Sequence, residues 1–186
     1  MIRTGIILSF LLMIIISTFG YVYAVRYDGP YRGKVIDAET QEPLEGVVVL
    51  GVWYREYPTP AGAVHKFYDA KETVTDKNGE FSILGLGLRV ITNVIPMHVM
   101  IFKAGYESEG GGGSWDSLKT GYLASKKVKW EGDKAIIPLR KLTMEERKKR
   151  GTPSTPSIPE DKMKEINKEI NKERIEIGLK PIELGD

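Results

Sequence analysis

The sequence contains no cysteine, and in its 186 residues it has only two histidines, His65 and His98. Without cysteine there are no disulfides, no thiolate nucleophile, no Cys-ligated zinc and no lipid attached at an N-terminal Cys. Charge of one sign is also lacking, since 27 Lys and Arg face 25 Asp and Glu for a net +2. That balance removes the electrostatic footprint expected of a nucleic-acid-binding protein. With 28% charged and 41% hydrophobic residues, the chain is neither a disordered nor a multi-span membrane protein. Its length suits one domain and a small additional element.

What is present begins with compartment. Arg3 is the only charge before Arg26, and the intervening run carries Leu8, Leu11, Leu12 and Ile14–Ile16. A positive start, an apolar stretch and Val22-Tyr23-Ala24 predict a secretory signal, residues 1–24, cleaved after Ala24. Thr4–Val25 is equally an uncharged run of 22 residues, enough to span a bilayer as an uncleaved anchor with Arg3 inside. Either reading puts the remainder outside the cytoplasm, periplasmic or secreted, and a membrane enters only through residues 4–25.

Residues 26–141 hold 16 bases and 15 acids among short apolar runs separated by turn signals. Tyr31, Gly33 and Val35 alternate with Arg32, Lys34 and Ile36, as a half-buried strand does, and Val47–Trp53 reads as a strand buried on both faces. Asp76-Lys77-Asn78-Gly79 predicts a tight hairpin joining Thr73–Thr75 to Phe81–Ile83. Met97–Phe102, Val128–Trp130 and Ala135–Leu139 complete about seven strands with no helical periodicity, an all-β sandwich. Residues 142–186 differ, with 10 bases, 10 acids and no aromatic residue. They predict a short helix over 142–150 with a Thr143/Glu146 capping box, a Pro-rich spacer over 151–159, and a charged amphipathic helix and tail over 160–186 capped by Ser157 and Glu160. Met163, Ile166, Ile170 and Ile177 fall on one face of that helix, a stripe too narrow to fold alone. It must dock on the sandwich or on a partner, and the tail is the candidate partner-binding helix.

Three stretches carry a family likeness. Gly33-Lys34-Val35-Ile36-Asp37-Ala38-Glu39-Thr40-Gln41-Glu42-Pro43-Leu44-Glu45-Gly46-Val47 resembles the opening of carboxypeptidase regulatory-like domains. Thr75-Asp76-Lys77-Asn78-Gly79-Glu80-Phe81 resembles their hairpin, and Ile101-Phe102-Lys103-Ala104-Gly105-Tyr106 a later strand and turn. The resemblance implies a seven-stranded, Greek-key, transthyretin-like (prealbumin-like) sandwich that serves as a noncatalytic accessory module supporting or binding neighbours. Enzymes that share the sandwich are not matched. Urate-pathway hydrolases end in Tyr-Arg-Gly-Ser, whereas Tyr31-Arg32-Gly33 lies near this chain's start. Intradiol dioxygenases hold iron through two Tyr and a His-x-His pair, whereas His65 and His98 lie far apart in sequence.

The densest unusual segment is residues 53–68, with Trp53, Tyr54, Tyr57, Phe67 and Tyr68 around His65 and interrupted by Pro58, Pro60 and Gly62. Such a segment suits either a sugar-stacking or peptide-binding surface, or a long hairpin whose aromatics cover one end of the sandwich. His98 alternates along an apolar strand as a structural histidine does. Asp76, Asn78 and Glu80 lack the remaining ligands of a calcium loop, and Gly85–Gly87 and Gly110–Gly113 lack the Lys-Ser/Thr of a phosphate loop. Arg147–Arg150 reads as a solvated helix end. No catalytic, metal or cofactor residues are assigned. The sequence points to a structural or protein-interaction module of the cell envelope, with carbohydrate binding through 53–68 as the alternative and a small hydrolase using His65 and Tyr68 ranked last.

Overall fold

A computed structural model describes residues 25–90, 93–109, 113–120 and 128–183. The N-terminal run with its two readings, Gly110–Gly112 and the last three residues lie outside them. Among the described residues no helix is long and apolar enough to cross a membrane.

The chain is mainly β. Its strands are β1 (Val25–Asp28), β2 (Tyr31–Asp37), β3 (Val48–Thr59), β4 (Gly62–Val74), β5 (Glu80–Ile83), β6 (Gly87–Val90), β7 (His98–Phe102), β8 (Lys129–Glu131) and β9 (Lys134–Leu139). Helices are α1 (Ser117–Thr120), α2 (Met144–Arg150) and α3 (Lys164–Glu176), the last preceded by a 3-10 turn at Glu160–Lys162. One sheet runs β5-β2-β9-β8, with β2 and β9 parallel and the other pairs antiparallel. A second runs β4-β3-β7, antiparallel throughout. β1 and β6 form a two-stranded ribbon that the sequence patterning does not reveal, and α1 is a single helical turn where no helix is expected.

β3 explains the layering. Its Val49 and Trp53 side, with Val47 just before the strand, points at the first sheet, meeting Val35, Phe81, Ile83, Ile137 and Leu139 in the main core. Its Val48, Leu50 and Val52 side joins Ala70, Met100 and Phe102 in a second core closed by Met163, Ile166 and Ile170. A strand apolar on both faces needs cover on both, and α3 supplies the second cover. The stripe offered as a partner surface is therefore taken up by the chain itself: Met163, Ile166 and Ile170 pack on the sheet, and Ile177 is buried as well. Residues 160–177 belong to the folded unit rather than to a free appendage.

The Asn-Gly turn forms, but it does not make a hairpin. Asp76 accepts from the Gly79 N–H at 2.8 Å, and its carboxylate accepts from the Asn78 and Glu80 N–H groups. Only Gly79 takes positive φ, +72°, and a Cβ there would meet the Val35 carbonyl at 2.4 Å. The strands it joins, β4 and β5, belong to different sheets, so the turn is a corner between layers.

Polar groups fasten the helices. Thr143 and Glu146 make the expected capping box on α2. The Ser157/Glu160 cap does not begin α3; the N-cap residue is Met163, which offers no side-chain hydrogen bond. Glu72 of β4 does this instead, accepting from the Glu165 and Ile166 N–H groups at 2.9 and 2.8 Å. That carboxylate faces the positive end of the helix dipole. In return, Glu169 and Glu173 of α3 accept from the Ala104 and Gly105 N–H groups, both at 2.8 Å.

Candidate functional site

Two strand registers assemble a groove on the helix-bearing side of the β4-β3-β7 sheet. β3 aligns Val52 with His98 of β7, and aligns Tyr54 with Phe67 and Glu56 with His65 of β4. Tyr54 is two residues past Val52 and so projects on the same face. The result brings together both histidines of the chain with one tyrosine between them. The His98 ring meets the Tyr54 ring edge-on at 5.4 Å, and the His65 ring lies nearly parallel to it at 6.4 Å. Val52 and Met100 form an apolar floor, and Ser154, Thr155 and Pro156 cross one rim, enclosing about 360 Å³.

The electrostatics are mild. His65 Nε2 lies 3.0 Å from Glu56 Oε2, with both groups open to water, so the pair contributes little to stability. Burial pushes the Tyr54 phenol above its ordinary range, keeping it neutral as a hydrogen-bond donor. Among the described residues no three His, Cys, Asp or Glu side chains converge as a metal site. The groove offers an apolar base, aromatic walls and a polar rim, which is a binding chemistry.

The six residues expected as one surface are dispersed. Trp53 is 0% exposed, its indole N–H donating to Asp28 at 3.0 Å, so it is a core residue and not a surface anchor. Tyr54 and His65 line the groove, while Phe67 packs against the second core. The register shifts between Trp53 and Tyr54, leaving Tyr68 opposite the irregularity, half-buried against the main core under the guanidinium groups of Arg55 and Arg89. Tyr57 projects from the opposite face to Tyr54, beneath Lys66. Trp53, Tyr54 and Tyr57 thus form no common stacking platform.

Sequence reasoning missed His98 as a groove residue, because its neighbours arrive from strands distant in sequence. It also missed an ion cluster. Glu173 is 0% exposed and receives Arg147 at 2.7 Å, Arg150 at 3.0 Å and the Gly105 N–H. Arg147 also reaches Glu176, and Arg150 donates to the Tyr106 carbonyl at 2.6 Å. The basic run is thus no solvated helix end at Arg147, which is buried. Burial raises the Glu173 pKa, but the Arg147 guanidinium, the Gly105 N–H and Arg150 outweigh it and hold the carboxyl below its ordinary range. A signal existed. Glu173 continues the 163, 166, 170, 177 stripe where an apolar residue belongs.

No family model matches the chain, and no curated protein matches it. Among solved structures, the 3-chlorocatechol 1,2-dioxygenase from Rhodococcus opacus 1CP aligns at 19% identity with a TM-score of 0.32. The alignment covers 62% of this chain and 62% of that one, less than two thirds of its length. A likeness of that degree assigns neither fold nor activity.

Proposed function

We propose that this chain is a noncatalytic module exported from the cytoplasm, which binds a protein of the cell envelope through the Tyr54 groove. We read its scaffold as a transthyretin-like Greek-key sandwich of the carboxypeptidase regulatory-like kind, with β2, β3, β4, β5, β7, β8 and β9 as its seven strands. Two observations support the scaffold reading. The first two sheets share one core, and the family-like segments fall at the β2 end and at the Asp76–Gly79 corner between the layers.

The observation that carries the functional reading is the groove itself. An apolar floor, a neutral phenol between two imidazoles and a polar rim reproduce the apolar centre and wet margin of a protein interface. A sugar platform is less favoured, because Trp53 faces the core and Tyr54 and Tyr57 lie on opposite faces of the ribbon.

The test is photocrosslinking in cells from full-length protein with a benzophenone amino acid replacing Thr155 on the rim. A discrete envelope-protein adduct is expected, and Tyr54→Ala should diminish it. An adduct unaffected by Tyr54→Ala, or no adduct at all, would refute the reading. Glycan-induced chemical-shift changes confined to Tyr54, His65 and His98 would replace a protein partner with carbohydrate.

A further inference from the structure

The β1–β6 ribbon is inverted relative to a ribbon of a water-soluble protein. Its registers pair Tyr27 with Leu88, Arg26 with Arg89, and Asp28 with Gly87. The polar residues point inward. Asp28 is buried, where it accepts from the Tyr31 hydroxyl at 2.6 Å, the Trp53 indole at 3.0 Å and the Leu86 N–H at 2.8 Å. Arg89 lies over the Tyr68 ring at 4.9 Å. The apolar residues point outward: Tyr27 is 68% exposed, Leu88 66% and Val90 56%. Antiparallel sheets with one wet face turn polar side chains to water, and this ribbon turns three large apolar ones.

The position of that face in the chain identifies what covers it. The uncharged run Thr4–Val25 ends on the first residue of β1. If that run is retained in a bilayer, β1 leaves the membrane at its surface with no linker to carry the ribbon away. Tyrosine suits the headgroup level of a bilayer.

We propose that the outer face of the β1–β6 ribbon, Tyr27, Leu88 and Val90, rests in the interfacial layer of the bilayer in the uncleaved, anchored chain. This surface fixes the orientation of the sandwich on the membrane rather than leaving it on a tether. It is independent of what the Tyr54 groove binds and rests on retention of residues 4–25.

Because the chain has no cysteine, single labels can be introduced without background. Full-length Leu88→Cys, Leu11→Cys and Thr40→Cys, each carrying an environment-sensitive fluorophore, are reconstituted into phosphatidylcholine–phosphatidylglycerol vesicles with brominated acyl chains. Bromine should quench the labels at positions 88 and 11 and leave position 40, in the turn after β2, unquenched. Quenching at 11 without quenching at 88 would overturn the proposal while leaving the anchor standing. No quenching at either position would remove the anchor and the proposal together. Self-quenching at 88 that grows with the protein-to-lipid ratio would put a second copy on the face and overturn the bilayer assignment.

Discussion

Replacing Glu173 by alanine tests how α3 is held. The carboxylate is fully buried and is shared by Arg147, Arg150 and the Gly105 N–H. Removing it strands the Gly105 donor, leaves Arg147 with Glu176 as its remaining carboxylate, and leaves Arg150 with the Tyr106 carbonyl. Breaking a buried ion pair by deleting one partner costs about 3–5 kcal/mol. Orphaning a buried backbone donor alone costs about 1–3 kcal/mol, and that loss is included in the larger figure. Against a domain stability of about 5–15 kcal/mol, the variant should remain folded but markedly weakened. Glu173→Gln should recover about 1 kcal/mol of the loss, because its amide oxygen still accepts from Gly105. The surface variant Glu165→Ala removes the exposed pair with Lys168 and one first-turn carboxylate, and should cost less than about 1 kcal/mol. Urea unfolding of the three variants beside the parent provides the comparison, with a lower midpoint at unchanged slope for Glu173→Ala. A loss below about 1 kcal/mol for Glu173→Ala would refute the reasoning and assign the hold on α3 to its apolar stripe alone.

Three further outcomes can be checked. Ile170→Ala empties a fully buried site facing Leu50 and Phe102 and should cost about 2–5 kcal/mol by chemical denaturation. Glu72→Ala removes the α3 cap supplied from β4 and should cost about 0.5–2 kcal/mol, with faster amide exchange at Glu165 and Ile166. Glu173 has a lowered folded pKa, so its contribution is complete above the ordinary glutamate range and is lost as pH falls through the folded value. The urea midpoint should therefore decline on acidification below the ordinary glutamate range, and Glu173→Gln should flatten that decline.

Local patterning made seven of the nine described strands legible, leaving β1 and β6 unseen, but it did not show which strands pair. Val47–Trp53 announced a strand buried on both faces, and the stripe through Ile166 and Ile170 announced a docking helix. The sequence left open whether that helix covers the sandwich or a partner, and the structure places it on β3. The Asn78-Gly79 turn was readable from backbone chemistry, yet whether β4 and β5 pair across it depends on distant strands, β3 and β2, that capture them first. Trp53 and Tyr54 show the same limit at the groove. A one-residue difference reverses the face of a strand, so adjacent aromatics part into core and groove. His65 and His98 flank Tyr54 because each pairs with β3, information absent from either segment alone. Glu72 looked like an ordinary strand-surface acid until the helix end arrived above it.

The exchange of carboxylates between β4, the Ala104-Gly105 turn and α3 has a consequence for biogenesis. Synthesis runs from the N-terminus, so Val48, Leu50, Val52 and the Ala104 and Gly105 N–H groups exist long before Ile166, Glu169 and Glu173 do. Contacts so far apart along the chain are slow to form. Until the last segment emerges, one side of the central sheet stays wet and its turn lacks acceptors. A nascent chain in that condition remains loosely packed on one face of the sheet, and it closes only when its final helix has emerged.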